Sequence, residues 1–213
     1  MNNVDYGPLF QDYKVKYGAN LEFIGSTLYD SEIFVSGAAG STSLSFFQTK
    51  RTNISAGNLP LAGTLPDPQG FLVMSMRFYP RVLPRSGARA AAGSPNVSGA
   101  VGDVVQLINT GVLSLVLLNK KYGQFPLWML PSGGGVSGGI AAEGATADPG
   151  GVVDFATNGV PDARNAYVLQ EPLFIPPVTE IGVTLSWPSP LTLAGGDTVL
   201  QVLFDGYMVR PVQ

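Results

Sequence analysis

The stretch TVLQVLFDGYMVRPVQ, Thr198 to Gln213, decides how this chain reads. Within its first half, Val199 to Phe204 is nearly continuous in apolar residues, and such a run suits a strand covered on both faces. Asp205-Gly206 then offers either a two-residue hairpin turn or a bulge. Because few residues follow, the expectation is a bulge within one long final strand. Phe71 to Phe78 is a second run of the same kind, so both segments are expected at the centre of a sheet. A sandwich covers one face of such strands. The other face needs a loop, a neighbouring subunit or a further layer.

Outward from these two runs, period-two alternation bounded by Gly, Pro, Asn and Asp recurs along the whole chain. Strands are expected at Tyr13 to Tyr17, Leu21 to Ile24, Glu32 to Ser36, Ser43 to Phe47, Phe71 to Tyr79, Asp103 to Asn109, Val112 to Leu118, Gln124 to Leu130, Val152 to Phe155, Ala166 to Gln170, Glu180 to Trp187 and Thr198 to Arg210. Helix signals are nearly absent. Asn119-Lys120-Lys121-Tyr122-Gly123 reads as a hairpin turn with a glycine free to take a positive φ. Residues 53–70, with Pro60, Pro66 and Pro68, read as a long ordered connection. Residues 132–162 hold nine glycines and the acids Glu143, Asp148, Asp154 and Asp162. They read as a Gly-rich acidic loop excursion at one rim, serving an interface or a site. The expected fold class is all-β, a single antiparallel domain over residues 1–213 with an N-terminal arm at 1–20.

Composition narrows function. In 213 residues there is no histidine and no cysteine, the side chains that most often act as general base, activated nucleophile and transition-metal ligand. Charged residues make up 13% of the chain, about half the share of an ordinary soluble domain. Surface so poor in charge points to contact with other subunits. The net charge of −3 argues against a protein that neutralises phosphates, so no direct nucleic-acid binding is expected. Met1 to Gly18 lacks the apolar core of a signal peptide and is expected to be retained. No apolar run approaches the roughly 20 residues that span a bilayer; the chain could still lie against one.

The motif matches are weak. Gly133 to Gly138 fits G-x-G-x-x-G, but the mechanism needs a helix to open at the last glycine, and Gly144, Pro149, Gly150 and Gly151 oppose one. Gly135 to Gly139 fits the nucleophile elbow, yet Ser137 has no imidazole to take its proton. A Ser-Lys pair with Lys120 or Lys121 has nothing to place it. The acids are scattered rather than paired for glycoside hydrolysis, and Asp148, Asp154 and Asp162 match no Ca²⁺ loop. No enzyme, no cofactor, no metal site and no small-molecule substrate is expected.

Arg77, Arg81, Arg85 and Arg89 form the one basic cluster, on a strand end and an extended loop, since Pro80 and Pro84 forbid a helix. They are the candidate inter-subunit contacts, with lipid head groups or plain solvent as alternatives. Trp128 and Trp187 offer a sugar-stacking platform, although aromatics in a β-sandwich usually fill the core. Asn53-Ile54-Ser55 and Asn96-Val97-Ser98 are sequons read as chance.

Two stretches carry a family resemblance. Thr52-Asn53-Ile54 through Leu65-Pro66-Asp67-Pro68-Gln69-Gly70-Phe71-Leu72-Val73 resembles a pattern in capsid proteins of small tailless icosahedral bacteriophages. Phe174-Ile175-Pro176-Pro177, the Ile181 to Trp187 strand with Pro188, and Phe204 to Gln213 resemble them too. Together they cover about a third of the chain. The resemblance implies a single jelly-roll barrel with extra strands, standing in a self-assembled icosahedral shell. Its partners would be copies of itself, other capsid proteins and in some cases an internal membrane. Its location would be the virion, assembled in the host cytoplasm. The alternative function is a carbohydrate- or receptor-binding module, such as a spike or fibre head.

Overall fold

A computed structural model describes residues 7–18, 20–35, 41–82, 97–118, 120–131, 137–142, 152–157, 166–193 and 197–212. Among the described residues ten strands and two α-helices follow one another: α1 (Gln11–Tyr17), β1 (Leu21–Phe34), β2 (Ser41–Phe46), β3 (Gly70–Val82), α2 (Val97–Thr110), β4 (Val112–Leu117), β5 (Lys120–Pro126), β6 (Ser137–Ala142), β7 (Val152–Thr157), β8 (Tyr167–Ile175), β9 (Ile181–Leu191) and β10 (Thr198–Pro211). The fold is all-β, two antiparallel sheets face to face. One sheet runs β1-β10-β3-β7-β6, with β8 also paired to β3; the other runs β2-β9-β4-β5. The pairing is nested. β1 pairs with β10, β2 with β9, β3 with β8, and β4 with β5.

Alternation along the strands builds the core between the sheets. Leu113, Leu115 and Leu117 of β4 and Ile181, Val183, Leu185 and Trp187 of β9 are buried, while the residues between them are half-exposed. They meet Leu28, Met76, Phe78, Leu200, Val202 and Phe204 from the opposite sheet. Phe47 stacks on Phe204 with ring centroids 5.5 Å apart. β3 and β10 lie side by side within the larger sheet, as their apolar runs required.

The bulge falls at Asp205/Gly206, but the extra residue belongs to the neighbour. Asp205 faces Ser75 and Gly206 faces Val73, so Met74 of β3 stands unmatched. Phe71 and Val73 point into the inter-sheet core, and so do Met76 and Phe78; the added residue switches which positions face in. The bulged backbone crowds β10 so closely that a Cβ at Gly206 would sit 1.8 Å from the Leu72 carbonyl oxygen. Only glycine fits there.

Residues 7–17 supply a second cover over one end of β3 and β10, at Leu72, Met74 and Val209. A 3₁₀ turn at Gly7–Phe10 leads into α1, and Phe10 and Tyr13 bury against Leu72 and Val209, with Met74 and Phe174 packed around them. The Tyr13 hydroxyl donates to the carbonyls of Pro68 and Val209, the latter at 3.2 Å. This corrects the strand expected at Tyr13 to Tyr17. Tyr13-Lys14-Val15-Lys16-Tyr17 alternates, yet Phe10, Tyr13 and Tyr17 also share a helical face, and that face is what the sheet accepts.

A second correction concerns Asp103 to Asn109, expected as a strand and found inside α2. Val104, Leu107 and Ile108 are buried while Gln106 and Asn109 are exposed, the three-and-four spacing of an amphipathic helix. The Leu107 carbonyl accepts the Trp187 Nε1–H at 3.3 Å. Two further boundaries move. The β4–β5 turn begins at Leu118 rather than across residues 119–123, with Tyr122 unmatched opposite Leu115/Val116. β5 ends at Pro126, and Leu127–Met129 form a 3₁₀ turn in place of the strand expected to reach Leu130.

The excursion at 132–162 is not structureless either. β6 and β7 pair in register from Ser137↔Thr157 to Ala142↔Val152, and Arg81↔Thr157 joins them to the larger sheet. β7 was legible as Val152 to Phe155; β6, Ser-Gly-Gly-Ile-Ala-Ala, has little strand propensity of its own.

The residues between β2 and the connection expected at 53–70 are tied to β1. Buried Asp30 accepts the Phe47 N–H at 2.5 Å and Arg51 Nε–H at 2.8 Å. Arg51 also donates to the Ser31 carbonyl at 2.9 Å and reaches Glu32. The hydrogen bond to Asp30 chiefly raises the Arg51 pKa above its ordinary value.

Candidate functional site

Of the four arginines, Arg77 is engaged within the chain. Its guanidinium grips Asp205 in two parallel bonds of 2.6 and 2.7 Å across the β3/β10 pair, and Asp205 accepts Thr27 Oγ1–H at 2.7 Å from β1. The bidentate fork staples three strands beside the bulge. Arg81 lies on β3, opposite Val199. Arg85 and Arg89 lie outside the described residues.

The most unusual surface is an apolar rim at the end of the sandwich where β4 turns into β5 and β8 into β9. Leu118 is 64% exposed with φ 47°, and Val178 is 62% exposed with φ 56°. A bulky or β-branched residue in the left-handed region is a true outlier, and large apolar groups facing water add a second unfavourable feature. Hydrogen bonds hold the tips together. The Leu118 N–H donates to the Glu180 carbonyl at 3.3 Å, that of Val178 to Leu65 at 2.9 Å, and that of Ile181 to Gly63 at 2.8 Å. Leu61, also exposed, sits in the same connection. Lys120 and Lys121 follow the Leu118 tip, with the Lys120 ammonium 5.3 Å from the Tyr122 ring centre. The sequence signal was a small one: Leu118 precedes Asn119, and Val178 follows Pro176-Pro177, where turn chemistry calls for Gly, Asn or Asp.

A cleft of about 210 Å³ lies between α1 and the end of β8, lined by Tyr13, Tyr17, Lys16, Phe174 and Pro176, with Asp12 as its one carboxylate. Tyr17 bonds Asp67, and Lys16 stands 3.8 Å from the same carboxylate. Burial, then the nearby Tyr17 and Asp67, push the Tyr13 phenol up to about 12.

The two tryptophans part ways. Trp187 is buried, edge-on to Phe34 at 5.3 Å, so it is core rather than platform. Trp128, on the 3₁₀ turn after β5, is 61% exposed. Ser137 and Gly138 of the glycine motifs lie on β6, where the dinucleotide mechanism needs a helix. Asn53 Oδ1 accepts Ser55 N–H and Oγ–H at 2.9 Å each, a local turn. Asp154 lies on β7; Glu143, Asp148 and Asp162 lie outside the described residues. Among the described residues no three acids gather to hold a metal ion, and no helix is long and apolar enough to cross a membrane.

At the end of the sandwich where β4 turns into β5 and β8 into β9, two large apolar side chains, Leu118 and Val178, face outward on left-handed backbone. Compared with known protein families and with curated proteins, the chain matches none.

Proposed function

We propose that this chain is a self-assembling structural subunit, a jelly-roll capsid protein that tiles an icosahedral shell. The observation that carries the reading is the rim of Leu118 and Val178, apolar, exposed and held in left-handed backbone at one end of the sandwich. Such a feature costs a lone molecule stability and is recovered when a neighbour covers it. The nested pairing supports the jelly-roll description. A long two-stranded ribbon, β1 to β4 against β5 and β8 to β10, rolled into a barrel gives the orders β1-β10-β3-β8 and β2-β9-β4-β5, with β6 and β7 as an added hairpin. The resemblance of residues 52–73 and 174–213 to phage capsid proteins points the same way.

On this reading the partners are copies of the chain and other capsid proteins, with an internal membrane as a further surface, and the location is the virion assembled in host cytoplasm. No nucleic-acid contact, catalysis or cofactor is assigned. Many repeated contacts, each modest, sum under symmetry to a closed shell. Electron microscopy and size-exclusion of the purified protein test this: shells, rings or sheets are expected. A chain that stays monomeric across salt, pH and concentration refutes it.

A second reading rests on Trp128, whose exposed indole suits stacking on a sugar ring. In a spike or fibre head, a glycan array would show binding that Trp128→Ala abolishes and Trp187→Ala, a core change, does not selectively remove.

A further inference from the structure

Residues 7–17 are held apart from the main core. Phe10 and Tyr13 bury against Leu72 and Val209 in a cluster of their own, with Tyr17, Met74 and Phe174 packed around it, whereas Phe71, Val73, Met76 and Phe78 of the same β3 belong to the core between the sheets. The arm's contacts can therefore part without disturbing that core. Its boundary is sharp. The Gly18 N–H closes α1 on the Lys14 carbonyl at 2.9 Å, and the Val212 N–H holds the Asn20 carbonyl at 3.1 Å, which leaves Gly18 as the pivot. Its φ of 99° and ψ of 163° suit glycine alone, and a Cβ added there would meet nothing within 4 Å. Backbone conformation, and no side-chain packing, sets this hinge.

We propose that the arm is exchanged between copies: residues 7–17 of each of two adjoining chains leave their own seat, swing about Gly18 and fill the identical seat of the other. The occupant follows from three observations. The seat already fits this segment, down to the Tyr13 hydroxyl on the Pro68 and Val209 carbonyls and Phe10 edge-on to Phe174 at 4.9 Å. A seat without an arm turns Leu72 and Val209 toward water, which favours refilling it. α1 has seven residues, fewer than the about twelve at which a helix begins to persist by itself, so a lifted arm regains its structure only in a seat. Neighbouring subunits offer that seat at high local concentration, and short strained hinges promote such swaps. The inference rests on the self-assembling reading and names one of its contacts.

Lys16 and Asp67 report whose seat is filled, because their charged groups lie 3.8 Å apart and a carbodiimide joins an ammonium to a carboxylate at that range. Both side chains are more than half exposed, so replacing either one leaves the fold standing. A Lys16→Gln protein is mixed with an Asp67→Asn protein under assembly conditions and treated with carbodiimide. Neither protein can form the 16–67 bond by itself, so a 16–67 peptide in the mass spectrum of the mixture comes from exchange. That peptide is expected, in the dimer band of a denaturing gel. Gly18→Ala, added to both proteins, penalises the closed hinge and touches nothing else, and should raise the yield about fivefold. A mixture without the interchain bond, when the wild-type chain forms the 16–67 bond readily, overturns the proposal, as does a Gly18→Ala yield no higher than its parent. Wild-type shells whose 16–67 bond runs entirely in the monomer band refute exchange and leave the capsid reading standing; interchain bonds without any shell do the reverse.

Discussion

Replacing Val178 by asparagine should make the isolated chain more stable and the assembly weaker, two effects of opposite sign from one side chain. A β-branched residue at φ 56° carries strain of about 1–3 kcal/mol, and asparagine tolerates that region with little of it. Against this stands the burial lost. Val178 is 62% exposed, so only the remaining third of a full burial worth about 1.5–2 kcal/mol is forfeited, roughly 0.6 kcal/mol. The balance is a gain of about 1 kcal/mol, which at a urea slope of about 2 kcal/mol per molar moves the midpoint up by about 0.5 M. Tryptophan fluorescence of the unassembled protein in urea reads this directly. Val178→Ala is the matched control, since it trims the apolar tip without relieving the backbone; its midpoint should fall slightly. Particle yield should drop for both. A midpoint for Val178→Asn at or below wild type would show that the backbone there is not strained. Undiminished particle yield would show that the rim is not a contact.

Other substitutions test the architecture. Gly206→Ala forces a Cβ against the Leu72 carbonyl and should cost about 3 kcal/mol, whereas Gly102→Ala, on the exposed side of α2 with no neighbour within 4 Å, should add about 0.5–1 kcal/mol; urea midpoints read both. Asp205→Asn unpairs Arg77 and should cost about 1.5–3 kcal/mol in the same assay. Leu115→Ala, in the centre of the core, should cost about 2–5 kcal/mol. The Tyr13 phenol titrates at 10.0 when unfolded and near 12 when folded, so the folded state holds its proton longer. Its share of stability is complete below pH 10 and is lost as pH rises toward 12. The tyrosinate absorbance should show one late-titrating group that Tyr13→Phe removes.

The strand content and the central place of Phe71 to Phe78 and Val199 to Phe204 were legible because their apolar runs admit few alternatives. The two helices were not, for a physical reason common to both. Tyr13 to Tyr17 satisfies periods of two and of three-to-four at once, and only the apolar sheet face beneath it chooses between them. Asp103 to Asn109 is rich in β-branched residues, yet burial of Val104, Leu107 and Ile108 against the core outweighs that local preference. The need for a second cover over β3 and β10 was readable; that residues 7–17 supply part of it, over Leu72, Met74 and Val209, was not, since no local pattern in those residues says which surface they will meet. The rim was missed because a single apolar residue at a turn looks ordinary until its φ is known. The pairing of Arg77 with Asp205, distant in sequence, depended on a bulge whose extra residue lay on the partner strand.

The outermost turn of the nested ribbon joins Leu21 to Pro211, and this has a bearing on how the protein is made. While the chain emerges from a ribosome, β1 has no strand to bond with until β10 has followed it, so the larger sheet stays open until nearly every residue described here has been synthesised. Closing so long a loop is slow. A polypeptide cut short before β10 would leave β1 held only by its strap at Tyr29 and Asp30 and the larger sheet without the strand that joins β1 to β3, so that truncation there would forfeit the sandwich itself.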